Sequence, residues 1–238
     1  QDRVTEFAVG LFGGINYGSI NYNDIDDETL TDLKNQTETG NFGWSYGLDA
    51  SIKINSRWLL RSGLEWHTMF TKFDYMDEVT EQKTFENQMS KVWLDGNDTL
   101  KVEFRTVEKS VTTARRVVNY NKFTQLSIPV TFGYEHQSER FLYGMNVGTS
   151  LNFTTTQTGK MIDSENIIIS YDDNSSERPL SKFTMGLRLS PIVGYRLTDN
   201  MLIVCRPSFQ IQRHTNQVNG SSSKLYQLGM NVGFQVKI

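Results

Sequence analysis

The residues best suited to chemistry in this sequence are a histidine, a serine and a carboxylate on two neighbouring predicted strands. His67 and Glu65 are two positions apart on one strand, and Ser45 lies on the preceding strand, where it could face His67. A serine beside a histidine that a carboxylate orients can act as a nucleophile. Catalysis at His67 is therefore one hypothesis, and it depends on where the strands place that side chain.

Charged residues also occur at alternate positions of several predicted strands. Buried charges require partners, and Asp49 can reach Arg61 diagonally if their hairpin turns at Ser56. We expect a polar network that fills and closes the interior of a barrel, formed by Asp49, Arg61, Glu65, His67, Arg188 and Arg206. The alternative is an interior that passes solutes, as in a small porin or a conduit for hydrophobic ligands.

These residues belong to strands with strict alternation of apolar and polar residues, which is clearest in the hairpin at residues 123–153. The pattern predicts eight strands, at residues 6–17, 43–54, 58–70, 123–134, 141–153, 183–196, 201–212 and 226–238. Long polar connections, at about residues 18–41, 73–119 and 155–181, alternate with short turns. An even number of strands and this asymmetry are typical of outer-membrane barrels. We expect one up-and-down antiparallel β-barrel over residues 1–238, in the bacterial outer membrane, with both termini periplasmic.

The apolar face of these strands is expected to face lipid rather than the interior. Eight strands enclose a space just wide enough for side chains, so five to seven bulky residues per strand could not all point inward. The opposite face carries twelve of the 18 glycines, at positions 10, 14, 43, 47, 63, 133, 144, 148, 186, 194, 229 and 233. Aromatic residues near the strand ends predict interfacial girdles. Six of them are Trp44, Trp58, Trp66, Phe141, Tyr195 and Tyr226.

Two details depart from a regular barrel wall. Phe12 breaks the alternation of the first strand. Pro191 and Pro207 fall opposite each other if their hairpin turns at Asp199. Proline is rare inside a closed ladder, so we expect a local bulge there.

Composition excludes several other classes of function. The net charge of -3 and the pI of about 5.7 do not support nucleic-acid binding. The single cysteine, Cys205, excludes an internal disulfide and fits no metal-ligand spacing. The acidic run at residues 23–28 lacks the spacing and the turn glycine of an EF-hand loop, so we expect no metal and no cofactor. The first residue is Gln1 rather than methionine, which suggests a mature chain from which a signal peptide was removed.

The longest connection, at about residues 73–119, carries its own hairpin signal. Apolar alternation flanks Asp95-Gly96, a dipeptide that favours a tight β-turn. The apolar residues Trp93, Leu94 and Phe104 of this extracellular loop are not needed for membrane insertion. We expect them to contact a protein partner.

The runs LSIPVTFGY and FLYGMNVG, with the first strand FAVGLFGGINYG, resemble the PorT-like outer-membrane β-barrel proteins of Bacteroidota. The family includes accessory components of the type 9 secretion system, so the resemblance implies an accessory or structural subunit. The chain end, with Asn231, Gly233, Val236 and Ile238, resembles a barrel-assembly signal and implies insertion by the barrel-assembly machinery. Lipid A palmitoyl transferases and deacylases are barrel enzymes that also use histidine, serine and a carboxylate. They act at the lipid-facing wall, whereas His67 is expected to point inward, so a non-enzymatic role is favoured.

Overall fold

The computed structural model describes residues 6–23, 28–95, 98–163, 167–175, 179–215 and 222–238. The chain divides into two compact units: unit 1 comprises residues Gln1–Phe73 and Asn119–Ile238, and unit 2 comprises Asp74–Val118. The described elements are β1 (Phe7–Asn23), α1 (Glu28–Thr37), β2 (Glu38–Lys53), β3 (Trp58–Asp95), β4 (Asp98–Gln137), β5 (Phe141–Ile162), β6 (Ile168–Tyr171), β7 (Phe183–Arg196), β8 (Met201–Thr215) and β9 (Ser222–Lys237). Among these, no helix is long and apolar enough to cross a membrane.

Eight of the strands close into a ring. Each ring strand is antiparallel to its sequence neighbour, β1 pairs with β9, and β4 pairs with β5. The short strand β6 pairs only with β5 and lies outside the ring. The eight-stranded antiparallel barrel predicted from the sequence is confirmed. We call the end with the short turns at residues 54–57, 138–140 and 197–200 the turn end, and the opposite end the loop end.

The barrel wall is apolar outside and polar inside. Along β7, exposed and buried residues alternate, with Leu187 70% exposed and Arg188 only 8% exposed. Because the ring is closed, the backbone N–H and C=O groups of every wall strand have hydrogen-bond partners on both sides. Strands in lipid require this, since lipid tails offer no hydrogen bonds. An apolar outer face on a closed ring is the arrangement of a transmembrane barrel.

The twelve glycines predicted to face the interior occupy inward positions of their strands. Two of them explain the irregular residue of the first strand, Phe12, which points inward and is buried. A Cβ atom at Gly47 would lie 2.8 Å from the Phe12 ring, and one at Gly233 would lie 2.7 Å from the Phe12 Cβ. These glycines therefore make room for a phenylalanine inside the barrel.

The predicted loop at residues 18–41 is more ordered than expected. β1 continues to Asn23, α1 follows, and β2 already begins at Glu38. The helix carries Glu28 in its first turn and Lys34 in its last. Both charges interact favourably with the helix dipole and stabilise the helix. The side chain of Asn35 accepts a hydrogen bond from the Tyr22 N–H at 2.8 Å and donates one to the Tyr22 carbonyl at 3.1 Å. Helix α1 is therefore attached to the extended end of β1.

The predicted bulge at the two prolines is wrong. Pro191 and Pro207 do lie opposite each other, but the register of β7 and β8 is the same on both sides of them. Proline has no N–H to donate to the ladder, and the Ser190 hydroxyl instead donates to the Pro207 carbonyl at 2.9 Å. Register shifts occur elsewhere, between Gly40 and Trp44 and between Thr124 and Gln125. Strands β7 and β8 thus tolerate the missing ladder hydrogen bonds at these two prolines without the inserted residue of a bulge.

Candidate functional site

The middle of the barrel contains three buried ion pairs. They are Arg206 with Asp49, Arg188 with Glu65, and Arg61 with Glu135, the last with 2.8 Å between Nη2 and Oε1. All six side chains are buried, and three cations match three anions. Two of the pairs cross the interior, because β2 and β8, like β3 and β7, are three strands apart around the ring. These two pairs therefore connect strands that are not neighbours in the wall.

One predicted pairing in this network is wrong. Asp49 lies opposite Gly63 in the β2–β3 register, so Arg61 is within diagonal reach, yet Asp49 pairs across the interior with Arg206. Arg61 pairs instead with Glu135 on the adjacent strand β4. Glu135 lies one residue beyond the predicted strand at residues 123–134 and therefore outside the predicted network. Continuing the inward alternation two residues beyond Gly133 would have found it.

Little space remains between these charges. The Phe12 ring packs against the Arg206 guanidinium, with 4.8 Å from the ring centroid to Cζ. The residual cavity is lined by all six charged residues except Glu135, together with Phe12 and Asn231 among others, and measures about 20 Å³. A space of that size holds about one water molecule. The middle of the barrel is therefore filled rather than open.

The arrangement proposed for catalysis is not assembled. Ser45 and His67 are cross-strand neighbours, but the Ser45 hydroxyl donates to Asn231 Oδ1 at 2.7 Å. His67 Nε2 lies 3.1 Å from Glu65, which is also bound by Arg188. All of these side chains are buried. Glu65 therefore serves a structural ion pair, and the serine hydroxyl is directed away from the histidine.

Apolar side chains close the interior above and below the charged layer. At the turn end, a cluster of buried residues consists of Leu142, Ile192, Leu202 and Val204. At the loop end, a larger cluster consists of Ile20, Tyr22, Met69, Phe123, Met161, Tyr171, Leu180 and Leu225. We call the larger cluster the cap. A cluster of buried apolar side chains thus lies on each side of the charged layer in the described interior.

One carboxylate, Glu38, lies within the cap and beyond the apolar belt of the wall. Its oxygens accept hydrogen bonds from the Tyr22 hydroxyl at 2.5 Å, from Asn121 Nδ2 at 3.1 Å and from the Thr71 hydroxyl. Burial raises the pKa of Glu38, although the three donors act in the opposite direction. Burial and the nearby Glu38 together raise the pKa of Tyr22 well above its ordinary value. The cap therefore holds its carboxyl group with neutral donors and favours its protonated form more than water does.

His214 is near the loop end of β8, points inward and is fully buried. Its Nδ1 accepts a hydrogen bond from the Ser181 N–H at 3.1 Å. Burial lowers the pKa of His214 to about 4. The imidazole is therefore neutral at physiological pH and belongs to the closed loop end.

The aromatic residues expected at the membrane interfaces lie on the outward face of the wall. Trp44, Trp58, Phe141 and Tyr195 are exposed, and Trp66 and Tyr226 are partly exposed. Cross-strand ring pairs occur near both ends, with centroid distances of 5.4 Å for Trp44–Phe70 and Phe141–Tyr195, 5.0 Å for Trp58–Phe132 and 5.2 Å for Phe153–Phe183. Such pairs add stability beyond the burial of their area.

Unit 2 consists of the distal parts of β3 and β4. Phe104 is 56% exposed, and its unit also exposes Met76, Phe85 and Met89. The side chains of Trp93 and Leu94 lie outside the described residues, as do residues 24–27 of the acidic run. Arg116 binds both oxygens of Asp74, at 2.7 and 2.6 Å. Unit 2 therefore combines a fixed strand pair with exposed apolar side chains.

No protein-family model matches the sequence, and no curated protein has a matching sequence. The solved structures that are similar in fold include the following three outer-membrane proteins. Neisserial surface protein A (NspA) is 13% identical with a TM-score of 0.42, and the match covers 98% of this chain and 97% of that one. OprG of Pseudomonas aeruginosa is 9% identical (TM-score 0.44, 97% and 95% covered), and Ail of Yersinia pestis is 8% identical (TM-score 0.40, 97% and 99% covered). At these values the likeness concerns fold alone.

Proposed function

We propose that this protein is a non-enzymatic barrel of the bacterial outer membrane that acts as an accessory or structural subunit of a membrane complex. The observation that carries the proposal is the filled interior, with three ion pairs in its middle and an apolar cluster toward each end. A barrel that passes nothing must act through its surfaces. The even strand number supports placing both termini on the periplasmic side, at the turn end.

The alternatives fit the interior less well. A small porin needs a continuous aqueous path, whereas the described middle of the barrel leaves a cavity of about 20 Å³. A lipid-modifying enzyme needs a nucleophile that substrate can reach, whereas Ser45 is buried and bonded to Asn231. Neither activity is supported by these contacts.

Unit 2 is the surface that we propose for partner contact. Exposed apolar patches on soluble segments usually mark interaction sites, and Phe104 and Met89 are both more than half exposed. The ring strands of unit 1 pair with each other without residues 77–117. The exposed apolar residues of unit 2 are therefore not needed to close the barrel and are available to contact a partner protein. Trp93 and Leu94 complete the proposed contact surface.

We also propose that the barrel contacts outer-membrane lipid through its aromatic girdle and is inserted by the barrel-assembly machinery. The sequence LSIPVTFGY, now seen as a wall segment of β4, supports a place among the PorT-like proteins of Bacteroidota. Secretion or assembly machinery is the kind of complex that this relationship favours.

The test is copurification from native membranes with mass spectrometry of the associated proteins. We expect deletion of residues 77–117, bridged by a short Gly/Ser linker, to leave heat-modifiable mobility on gels intact and to abolish partner association. Phe104→Ser should weaken the association, and Thr106→Ser is the matched control, because Thr106 is exposed and two residues away on the same strand face. Retention of every partner by the deletion variant would overturn the assignment of unit 2.

A further inference from the structure

Two cations stand side by side on the outer wall at the loop end. Arg213 of β8 and Lys224 of β9 are directly opposite each other in the strand register, and both are exposed. Directly opposed residues have Cβ atoms about 5 Å apart, and like charges at that spacing destabilise the sheet. Within the described residues, neither side chain has a carboxylate partner. The pair is thus a local concentration of positive charge that a ligand anion would relieve.

The residues around this pair match a lipid headgroup better than a free ion. On the membrane side, the next outward pair is Ile211 with Tyr226, at the edge of the apolar belt. On the same rung, Asn21 of β1 lies opposite Lys224 and is exposed. A ligand here would have apolar wall on one side and polar donors on the other. That is the pattern of an amphiphile with a charged, hydroxyl-rich headgroup.

The charge is also distributed unequally between the two borders of the belt. Beyond the belt at the loop end, outward strand positions in the described part of unit 1 carry Lys72, Lys122, Arg213 and Lys224 and no acidic residue. At the turn end, the exposed charged residues Arg57, Glu139, Arg140 and Asp199 lie in the short turns and not at strand positions. The whole chain has a net charge of -3. Outward strand positions at the loop end therefore carry cations alone, whereas the exposed acidic residues of that end, Glu28, Asp32 and Asp172, lie in the helix and a loop.

We infer that Arg213 and Lys224 form a binding site for the phosphate groups of an anionic glycolipid in the leaflet that surrounds the loop end. The inference rests on the proposed outer-membrane location, whose external leaflet then lies at the loop end. Arg213 supplies a planar donor fork suited to phosphate, and Lys224 supplies a second charge. The headgroup sugar lies toward Asn21, and the acyl chains follow the wall past Ile211.

The test measures lipid binding by the full-length protein in neutral detergent, using native mass spectrometry. The probe is a bisphosphorylated glucosamine glycolipid, compared with the same lipid after removal of its phosphates. We expect the wild type to prefer the phosphorylated lipid, and R213Q/K224Q to bind it roughly tenfold more weakly or worse. The matched control is R57Q/R140Q, which removes the same charge at the turn end and should bind as the wild type does.

Added salt should weaken the preference of the wild type for the phosphorylated lipid, because the charges of Arg213 and Lys224 are exposed and salt screens them. Equal binding by R213Q/K224Q and the control would overturn the site, and so would equal binding of the two lipids. Full competition by inorganic phosphate at the concentration of the lipid would show that the free anion suffices, which contradicts a lipid site. Heat-modifiable mobility of each variant reports folding of the barrel separately. A failure of lipid binding is thereby distinguished from a failure of the proposed membrane role.

Discussion

The middle of the barrel and the cap at its loop end bury acidic residues in two different ways. In the middle, Asp49, Glu65 and Glu135 each face a guanidinium group. In the cap, Glu38 is bound by neutral hydroxyl and amide donors inside an apolar cluster. The charged layer can be stable only with both members of each pair present, whereas the cap carboxyl can take up a proton.

This difference predicts different responses to mutation. Removing one partner of a buried ion pair leaves an uncompensated charge, which costs more than the pair contributes. Removing a neutral hydrogen-bond partner leaves the other polar groups buried without a hydrogen bond. The loss of stability then equals the desolvation free energy of those groups. We therefore expect global loss of stability from the middle layer and a smaller, local loss from the cap.

The largest effect is expected from Arg206→Met, which leaves Asp49 buried without its cation. The free energy of unfolding should fall by about 4 kcal/mol, measured by urea denaturation of the barrel in lipid vesicles. The double variant D49N/R206M should recover part of this loss, because it removes both charges. A double variant no more stable than Arg206→Met would mean that packing of the arginine, and not its charge, is what matters.

A smaller effect is expected from Glu38→Leu, which leaves the Tyr22, Thr71 and Asn121 donors without their common acceptor. We expect a loss of about 2–3 kcal/mol, concentrated at the loop end. Hydrogen exchange should increase in α1 and at the start of β2 and stay unchanged in β7. Glu38→Gln, which keeps an acceptor oxygen, is the control and should exchange more slowly than Glu38→Leu. Uniform acceleration over the whole barrel would argue against a separate cap.

The smallest effect concerns pH and the buried His214. Its folded pKa of about 4 lies below the ordinary value of about 6.5, so the unfolded chain binds more protons as the pH falls. Stability from this residue is present above about pH 6.5, and about 2 kcal/mol of it should be lost at pH 5. His214→Asn can still accept from the Ser181 N–H and should reduce the difference in unfolding free energy between pH 8 and pH 5. An unchanged difference would exclude His214 as its source.

The sequence predicted the barrel and its inward residues because alternation, closure and volume leave few arrangements for strands of this length. It did not predict which charges meet across the interior. Asp49 and Arg206 lie on strands that are not neighbours, and their contact depends on the stagger of the whole ring. Helix α1 was missed because Leu30 and Leu33 give only a short apolar stripe within a polar segment. Glu38 and His214 lie on strand ends that extend beyond the predicted strands, so the sequence pattern does not place them in the interior.

The central claim is that the interior of the barrel is closed, and planar-bilayer recording of the pure wild-type protein tests it most directly. The ion pairs in the middle and the apolar clusters at the two ends predict little or no steady conductance. Arg206→Met, if it folds, should show at most brief and irregular openings, since the cap and the turn-end cluster remain. Stable, reproducible open channels from the wild-type protein would contradict the closed interior and would favour the porin alternative.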